Sequence, residues 1–122
     1  MNNPIKYPEY KEQGKNILTV DADEMLIELY KIHSMKKSDG TLYEHRYLID
    51  KLSSIAEHLN FCHEQAFQAM SELKSHELVT YVKASNTLLM INLTSKAIAY
   101  YDKAVGRQIK EWLSKGLSLF IK

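Results

Sequence analysis

Between Ile55 and Val79 the apolar residues keep helical spacing on both sides of one short interruption, a pattern that few chain arrangements satisfy. Ile55, Ala56 and Leu59 fall on one face of a helix, because residues three and four apart lie one above the other. Asn60 follows, and asparagine tolerates the positive φ that stops and reverses a helix better than most residues. Cys62 then takes the N-cap position of a second helix with Ala66, Met70 and Leu73 on its apolar face, ending near His76. Two helices joined by so tight a turn must cross at an angle and share one core.

The neighbouring segments extend this plan. Leu78 to Lys83 and Leu88 to Leu93 are β-favouring runs flanking Ala84-Ser85-Asn86-Thr87, the signature of a hairpin. Thr94 or Ser95 caps a last helix with an apolar stripe of Ile98, Tyr101, Val105, Ile109, Trp112, Leu113, Leu117 and Phe120. A stripe that long in a small domain asks for a partner chain along residues 95–120, which predicts a homodimer; the alternative is that it folds back onto the first helix within one subunit. Upstream, a helix starts near Asp21 or Asp23 and carries Met25, Leu26, Leu29, Ile32 and Met35 on one face, ending at Ser38-Asp39-Gly40. From Leu42 to Leu59 a helical pattern recurs, and Ser54 with Glu57 offers a capping box that would divide it into two helices. Thr41 to Tyr43 reads equally as a short strand. Residues 1–20 hold both prolines, Pro4 and Pro8, and little periodicity, which predicts an extended arm before a domain over 21–122.

Composition limits function. Hydrophobic residues at 45% with 25% charged residues exclude a mostly disordered chain. The longest aliphatic run, Leu88 to Ile91, is too short to cross a bilayer, and the N-terminus lacks the apolar core of a secretory signal, so a cytoplasmic location is expected. A single cysteine, Cys62, leaves no disulfide framework and no cysteine cage for zinc. The histidines His33, His45, His58, His63 and His76 show no ligand spacing, and no phosphate loop, catalytic triad or carboxylate pair stands out. No metal, cofactor or enzymatic activity is expected.

The order of elements resembles the winged helix-turn-helix superfamily, and the long helix after the hairpin is similar to that of MarR-type regulators and related small bacterial winged-helix proteins. Ile55-Ala56, Leu59, Asn60, Phe61, Cys62, Ala66, Met70, Leu73 and Leu78-Val79 carry the resemblance, which spans about residues 21–115. Glu77 stands where the family often has glycine, Cys62 replaces a Ser or Thr cap, and the usual Arg/Lys positions of the base-reading helix are largely empty. The resemblance implies a mainly α fold with a small antiparallel β-hairpin, an α+β class, dimeric through its terminal helices. It further implies a transcriptional regulator that binds a pseudo-palindromic site on double-stranded DNA.

In that setting the second helix of the motif lies in the major groove. The DNA-facing residues would be His63, Glu64, Gln65, Gln68 and Ser71, with Lys74 at the helix end and Lys83 and Asn86 on the hairpin. Glutamine can bridge adenine N6 and N7, and glutamate can accept from cytosine N4. Phosphate affinity comes mainly from Lys and Arg, and residues 53–94 hold only two of these beside four acidic residues. That imbalance keeps open a second reading, a winged helix serving as a protein-interaction module, for example in a mobile-element or adaptor protein. Phe67 then matters, either as core beside Met70 or as an exposed anchor for a partner. Tyr43, Tyr47, Tyr100 and Tyr101 could line a cleft for an aromatic ligand, as in some MarR-like regulators.

Overall fold

The computed structural model describes residues 5–114, apart from the side chains of Trp112 and Leu113. The chain runs β1 (Lys11–Glu12), β2 (Lys15–Asn16), α1 (Val20–Ser38), β3 (Ile49–Lys51), α2 (Leu52–Leu59), α3 (His63–Ser75), β4 (Val79–Ala84), β5 (Thr87–Leu93) and α4 (Ser95–Ser114). It is an α+β fold of four helices with a small antiparallel sheet of order β3-β5-β4, beside a two-stranded β1-β2 hairpin, among the described residues. None of these helices is long and apolar enough to cross a membrane.

Three helices end in the same way. At the end of α2 the Phe61 N–H donates to the Ala56 carbonyl at 2.9 Å and the Asn60 N–H to Glu57 at 3.1 Å, with Asn60 at φ 61°. At the end of α3 the Leu78 N–H donates to Leu73 at 3.0 Å and the Glu77 N–H to Lys74 at 2.9 Å, with Glu77 at φ 63°. At the end of α1 the Thr41 N–H reaches Lys36 at 2.9 Å and the Gly40 N–H reaches Lys37 at 3.4 Å, with Gly40 at φ 80°. Each is a Schellman closure: a left-handed residue turns the chain back so that two orphan carbonyls are satisfied. Asparagine and glycine adopt that conformation at little cost, whereas Glu77 adopts it against its own Cβ.

One apolar core lies inside these turns. Met25, Leu26 and Leu29 of α1, Leu52 and Ile55 of α2, Ala66, Met70 and Leu73 of α3, Leu88 and Ile91 of β5, and Ala97 and Tyr101 of α4 are buried together. Met35, expected on the inner face of α1, is 60% exposed, because the core ends before the last turn of that helix. The end of α3 is tied to the start of α4 through Thr94. Its hydroxyl donates to the Glu77 carbonyl at 2.8 Å and accepts from the Ala97 N–H at 3.4 Å, the expected cap.

The segment before α2 differs from expectation. Ser54 caps nothing and lies in the first turn of α2, and the single helix is preceded by a strand at Ile49–Lys51 rather than at Thr41–Tyr43. Ile49 pairs with Ile91 and Lys51 with Leu89, so a partner strand far along the chain decides the conformation of residues whose local spacing suits a helix. Asn92 fixes the approach to that strand: its Oδ1 accepts from the Leu48 N–H at 2.8 Å and its Nδ2 donates to the Arg46 carbonyl at 3.0 Å. On the other side, β4 and β5 shift register between Thr80 and Val82, where Met90, at φ 55°, forms a bulge.

The expected extended arm is instead integrated into the fold over its described part. Tyr10 is 3% exposed and joins the core. Lys11 pairs with Asn16 and Glu12 with Lys15 across Gln13-Gly14, both at positive φ (53° and 78°), as a type I′ turn requires. The residues before Tyr10 are held by side chains of α4. Gln108 accepts from the Lys6 N–H at 3.0 Å and donates to the Lys6 carbonyl at 2.5 Å. Tyr101 donates to Pro8 at 3.2 Å, and Tyr100 donates to Glu9 at 2.9 Å. Tyr101, expected on a dimer seam, is thus fully buried in its own chain, while Ile98, Val105 and Ile109 are half-buried. Leu117 and Phe120 lie outside the described residues.

Two stability effects follow from this packing. Glu77→Gly removes the left-handed penalty and should raise stability by about 0.5–1 kcal/mol, or a few degrees in melting temperature; a lower melting temperature would show that the Glu77 side chain matters more than its backbone. Asp23 is 6% exposed and its Oδ1 accepts the Tyr10 N–H at 2.9 Å. Burial raises its pKa above the ordinary carboxylate value, Glu9 and Glu72 add to the rise, and the Tyr10 N–H works against it. The folded state therefore holds the Asp23 proton more tightly than the unfolded state. That contribution is fully present below the unfolded value of about 3.9 and is lost as pH rises through the higher folded value. Asp23→Asn should accordingly gain on the parent protein between pH 4 and 7 in thermal melts, and a difference independent of pH would contradict the burial effect.

Candidate nucleic-acid interface

Helix α3 turns about 100° per residue, so burying Ala66, Ala69, Met70 and Leu73 points Glu64, Gln68, Ser71 and Ser75 away from the core. His63, Phe67 and Lys74 fall on the flank toward the β4–β5 hairpin, and Gln65 and Glu72 on the flank toward α1. Chemically, the two flanks are opposites.

The hairpin flank is aromatic and cationic. The Lys83 ammonium stands 5.6 Å from the centre of the Phe67 ring, and the centre of the His63 ring lies 5.8 Å from it. Lys74 stands 4.5 Å from the ring centre of Tyr81. Cations so placed are attracted to the ring faces, which orders both lysine stems without neutralising their charge. Lys83 and Asn86 are exposed near the two-residue turn Ser85-Asn86, beside the outward face of α3.

The α1 flank is a groove of about 610 Å³ whose lining includes Asp21, Glu64 and Glu72 and no Lys or Arg. Glu72 accepts from the Thr19 N–H and from the Thr19 hydroxyl, both at 2.7 Å, which ties α3 to the N-terminus of α1. Gln65 is also committed. Its Oε1 accepts from the Cys62 N–H at 3.3 Å, half of a capping box, and its Nε2 donates to Asp21 at 3.2 Å. Of the residues expected to read bases, His63, Glu64, Gln68 and Ser71 are exposed with free polar groups, whereas Gln65 is a structural cap whose amide is satisfied at both ends.

Lys51, a basic residue flanking the motif, stands beside an open helix start that the sequence alone does not place. The start of α2 has extended Lys51 at its N-cap with no side-chain hydrogen bond, and Lys51, Ser53 and Ser54 are all exposed. The first N–H groups of a helix carry partial positive charge and accept anions when left open. The signal was present in Lys51-Leu52-Ser53-Ser54, but it is visible only once the helix start is placed at Leu52.

The four tyrosines expected to line a cleft, Tyr43, Tyr47, Tyr100 and Tyr101, divide between two places. Tyr100 and Tyr101 pack in tilted and edge-on contacts with Tyr10, Tyr30 and each other, in the region shared by α1, α4 and the N-terminal segment. Tyr30 donates to Asp102 at 2.5 Å, and burial followed by that carboxylate pushes its pKa above the usual tyrosine value. Tyr43 and Tyr47 instead border a separate cavity of about 270 Å³ with His33, Arg46 and Ile98. Burial holds His33 below the usual histidine pKa there.

Because Gln65 is committed to the cap, Gln65→Ala should lower thermal stability by about 1 kcal/mol. Its effect on any DNA affinity should be no larger than that loss explains. A selective loss of affinity for particular sequences, with melting temperature unchanged, would return Gln65 to the readout set.

No protein-family model matches the chain, and no curated protein or solved structure matches it, so its functional reading rests on this geometry.

Proposed function

We propose that the chain is a DNA-binding transcriptional regulator of winged-helix architecture, acting as a homodimer on a pseudo-palindromic duplex site. The observation that carries this reading is the convergence of α3 and the hairpin on one face, with Lys83 standing over Phe67. In such a docking, α3 enters the major groove and its N-terminal residues meet base edges, while the hairpin rests on the adjacent backbone. His63, Glu64, Gln68 and Ser71 supply the polar readout. Lys74, Lys83, Lys51 and the open start of α2 meet phosphates. The carboxylates of the α1 flank repel phosphate, so α3 lies in the groove tilted toward its hairpin side. Pairing through α4 would use the half-buried Ile98, Val105 and Ile109, together with the expected positions Trp112, Leu113, Leu117 and Phe120.

A second reading has one observation in its favour. The groove lined by Asp21, Glu64 and Glu72 suits a cationic segment of a partner protein better than it suits a nucleic acid. The same elements would then form a protein-interaction module.

A titration of the purified protein against a random duplex library, at low and moderate salt with mass measured by light scattering, separates the two. Recovery of a short inverted repeat by a dimer, with affinity falling steeply as salt rises, is the expected result. Glu64→Gln should then strengthen binding to unrelated duplexes by about threefold at low salt, because it removes one exposed charge from the face, and so narrow the preference for the recovered site. Failure of the folded protein to retain any duplex at low salt would exclude DNA binding and leave the acidic groove as the surface to probe.

A further inference from the structure

Among the α3 side chains that face the proposed duplex, Phe67 is the one that offers apolar area. His63, Glu64, Gln68 and Ser71 are hydrogen-bonding groups, and Gln65 is committed to the helix cap. Phe67 is half-buried: one side packs against the core and the remainder lies at the surface between α3 and the hairpin. Its ring centre lies 5.8 Å from that of His63 and 5.6 Å from the Lys83 ammonium, so neighbours on α3 and on the hairpin restrict the ring before any ligand arrives. An aromatic ring so restricted in the first turns of a groove-entering helix has one specific partner on a base edge, the C5-methyl group of thymine. Gln68, the next residue and exposed, lies beside it with the amide geometry that bridges adenine N6 and N7.

Resting on the DNA-binding reading above, we infer that Phe67 is a specificity residue whose ring packs on the methyl group of one thymine, next to an adenine read by Gln68. Lys83, over the same ring, couples this contact to the backbone: the cation that orders the ring also reaches the neighbouring phosphate. Specificity at that base pair is therefore apolar, and it persists at salt concentrations that weaken the phosphate contacts.

The test replaces each thymine of the recovered site, one at a time, by deoxyuridine, which removes the methyl group and leaves every hydrogen-bonding atom in place. The parent protein should lose about fourfold in affinity at one position per half-site, the effect of one buried methyl group, and little elsewhere. In Phe67→Gln that position should become indifferent to uracil, while the other positions behave as before. Phe67→Leu keeps most of the packing and should retain a reduced methyl preference, which covers the case in which the glutamine variant does not fold. Uniform tolerance of uracil by the parent protein, or an unchanged uracil penalty in the Phe67 variants, would overturn the inference while leaving DNA binding intact. Absence of binding to any duplex would instead sink the DNA reading itself and this inference with it.

Discussion

The left-handed turn at Asn60 is the constraint on which the rest of the structure depends. Its closure, with the Phe61 N–H returned to Ala56 and the Asn60 N–H to Glu57, stops α2 within a single residue and reverses the chain into the α3 cap. Only that reversal lets Ala66, Met70 and Leu73 meet Ile55 of α2 and the Met25–Leu29 face of α1 in one core. A longer or straighter connection would carry α3 away from α1, and with it the Glu72 bonds to Thr19 that fix the start of α1. The orientation of every exposed residue on α3, including His63, Phe67 and Gln68, thus follows from a backbone conformation that few residue types adopt cheaply.

The outward face of α3 is shaped by charge as much as by geometry. Its two flanks differ because different elements border them: the hairpin contributes Lys83 and Tyr81, and the start of α1 contributes Asp21. A ligand with a regular array of phosphates meets attraction along one edge and repulsion along the other. On the proposed DNA-binding reading, such a surface would give up general affinity and leave binding to depend on the contacts its polar and apolar side chains form with base edges. The scarcity of Lys and Arg in residues 53–94 therefore does not weigh equally on specific and non-specific binding. The term lost first is the sequence-independent one.

How much of this was readable beforehand depended on where each segment finds its hydrogen-bond partners. Asn60, Cys62, the end of α3 near His76, the hairpin strands and the Thr94 cap were all readable, because caps, turns and spacing are decided within a few residues. The strand Ile49–Lys51 was not, since its ladder partners Ile91 and Leu89 lie some forty residues away and three residues carry too little periodicity to compete with a helical pattern. The place of residues 6–10 is illegible for the same reason in stronger form: main-chain groups of Lys6, Pro8 and Glu9 are satisfied by Gln108, Tyr101 and Tyr100, about a hundred residues on. At the candidate site, exposure of His63, Glu64, Gln68 and Ser71 followed from helical phase alone. The commitment of Gln65 to Asp21 and the gathering of Asp21 with Glu72 in one groove needed the tertiary fold.

The N-terminal segment also changes what the stripe on α4 means. An apolar stripe on a terminal helix argues for a partner only to the extent that the chain leaves it uncovered, and here residues 6–10 lie over Tyr100, Tyr101 and Gln108. The phenol and amide groups on that face bond to main-chain atoms, so the face is amphipathic in use although its spacing reads as apolar. Among the described residues, what remains for a second copy is the half-buried set Ile98, Val105 and Ile109, which the chain covers only in part. A dimer built there would be added to a monomer whose core is already complete. Its strength would be set by α4 alone and not by the stability of the fold, because Tyr101, the one fully buried stripe residue among the described residues, belongs to the subunit in either state.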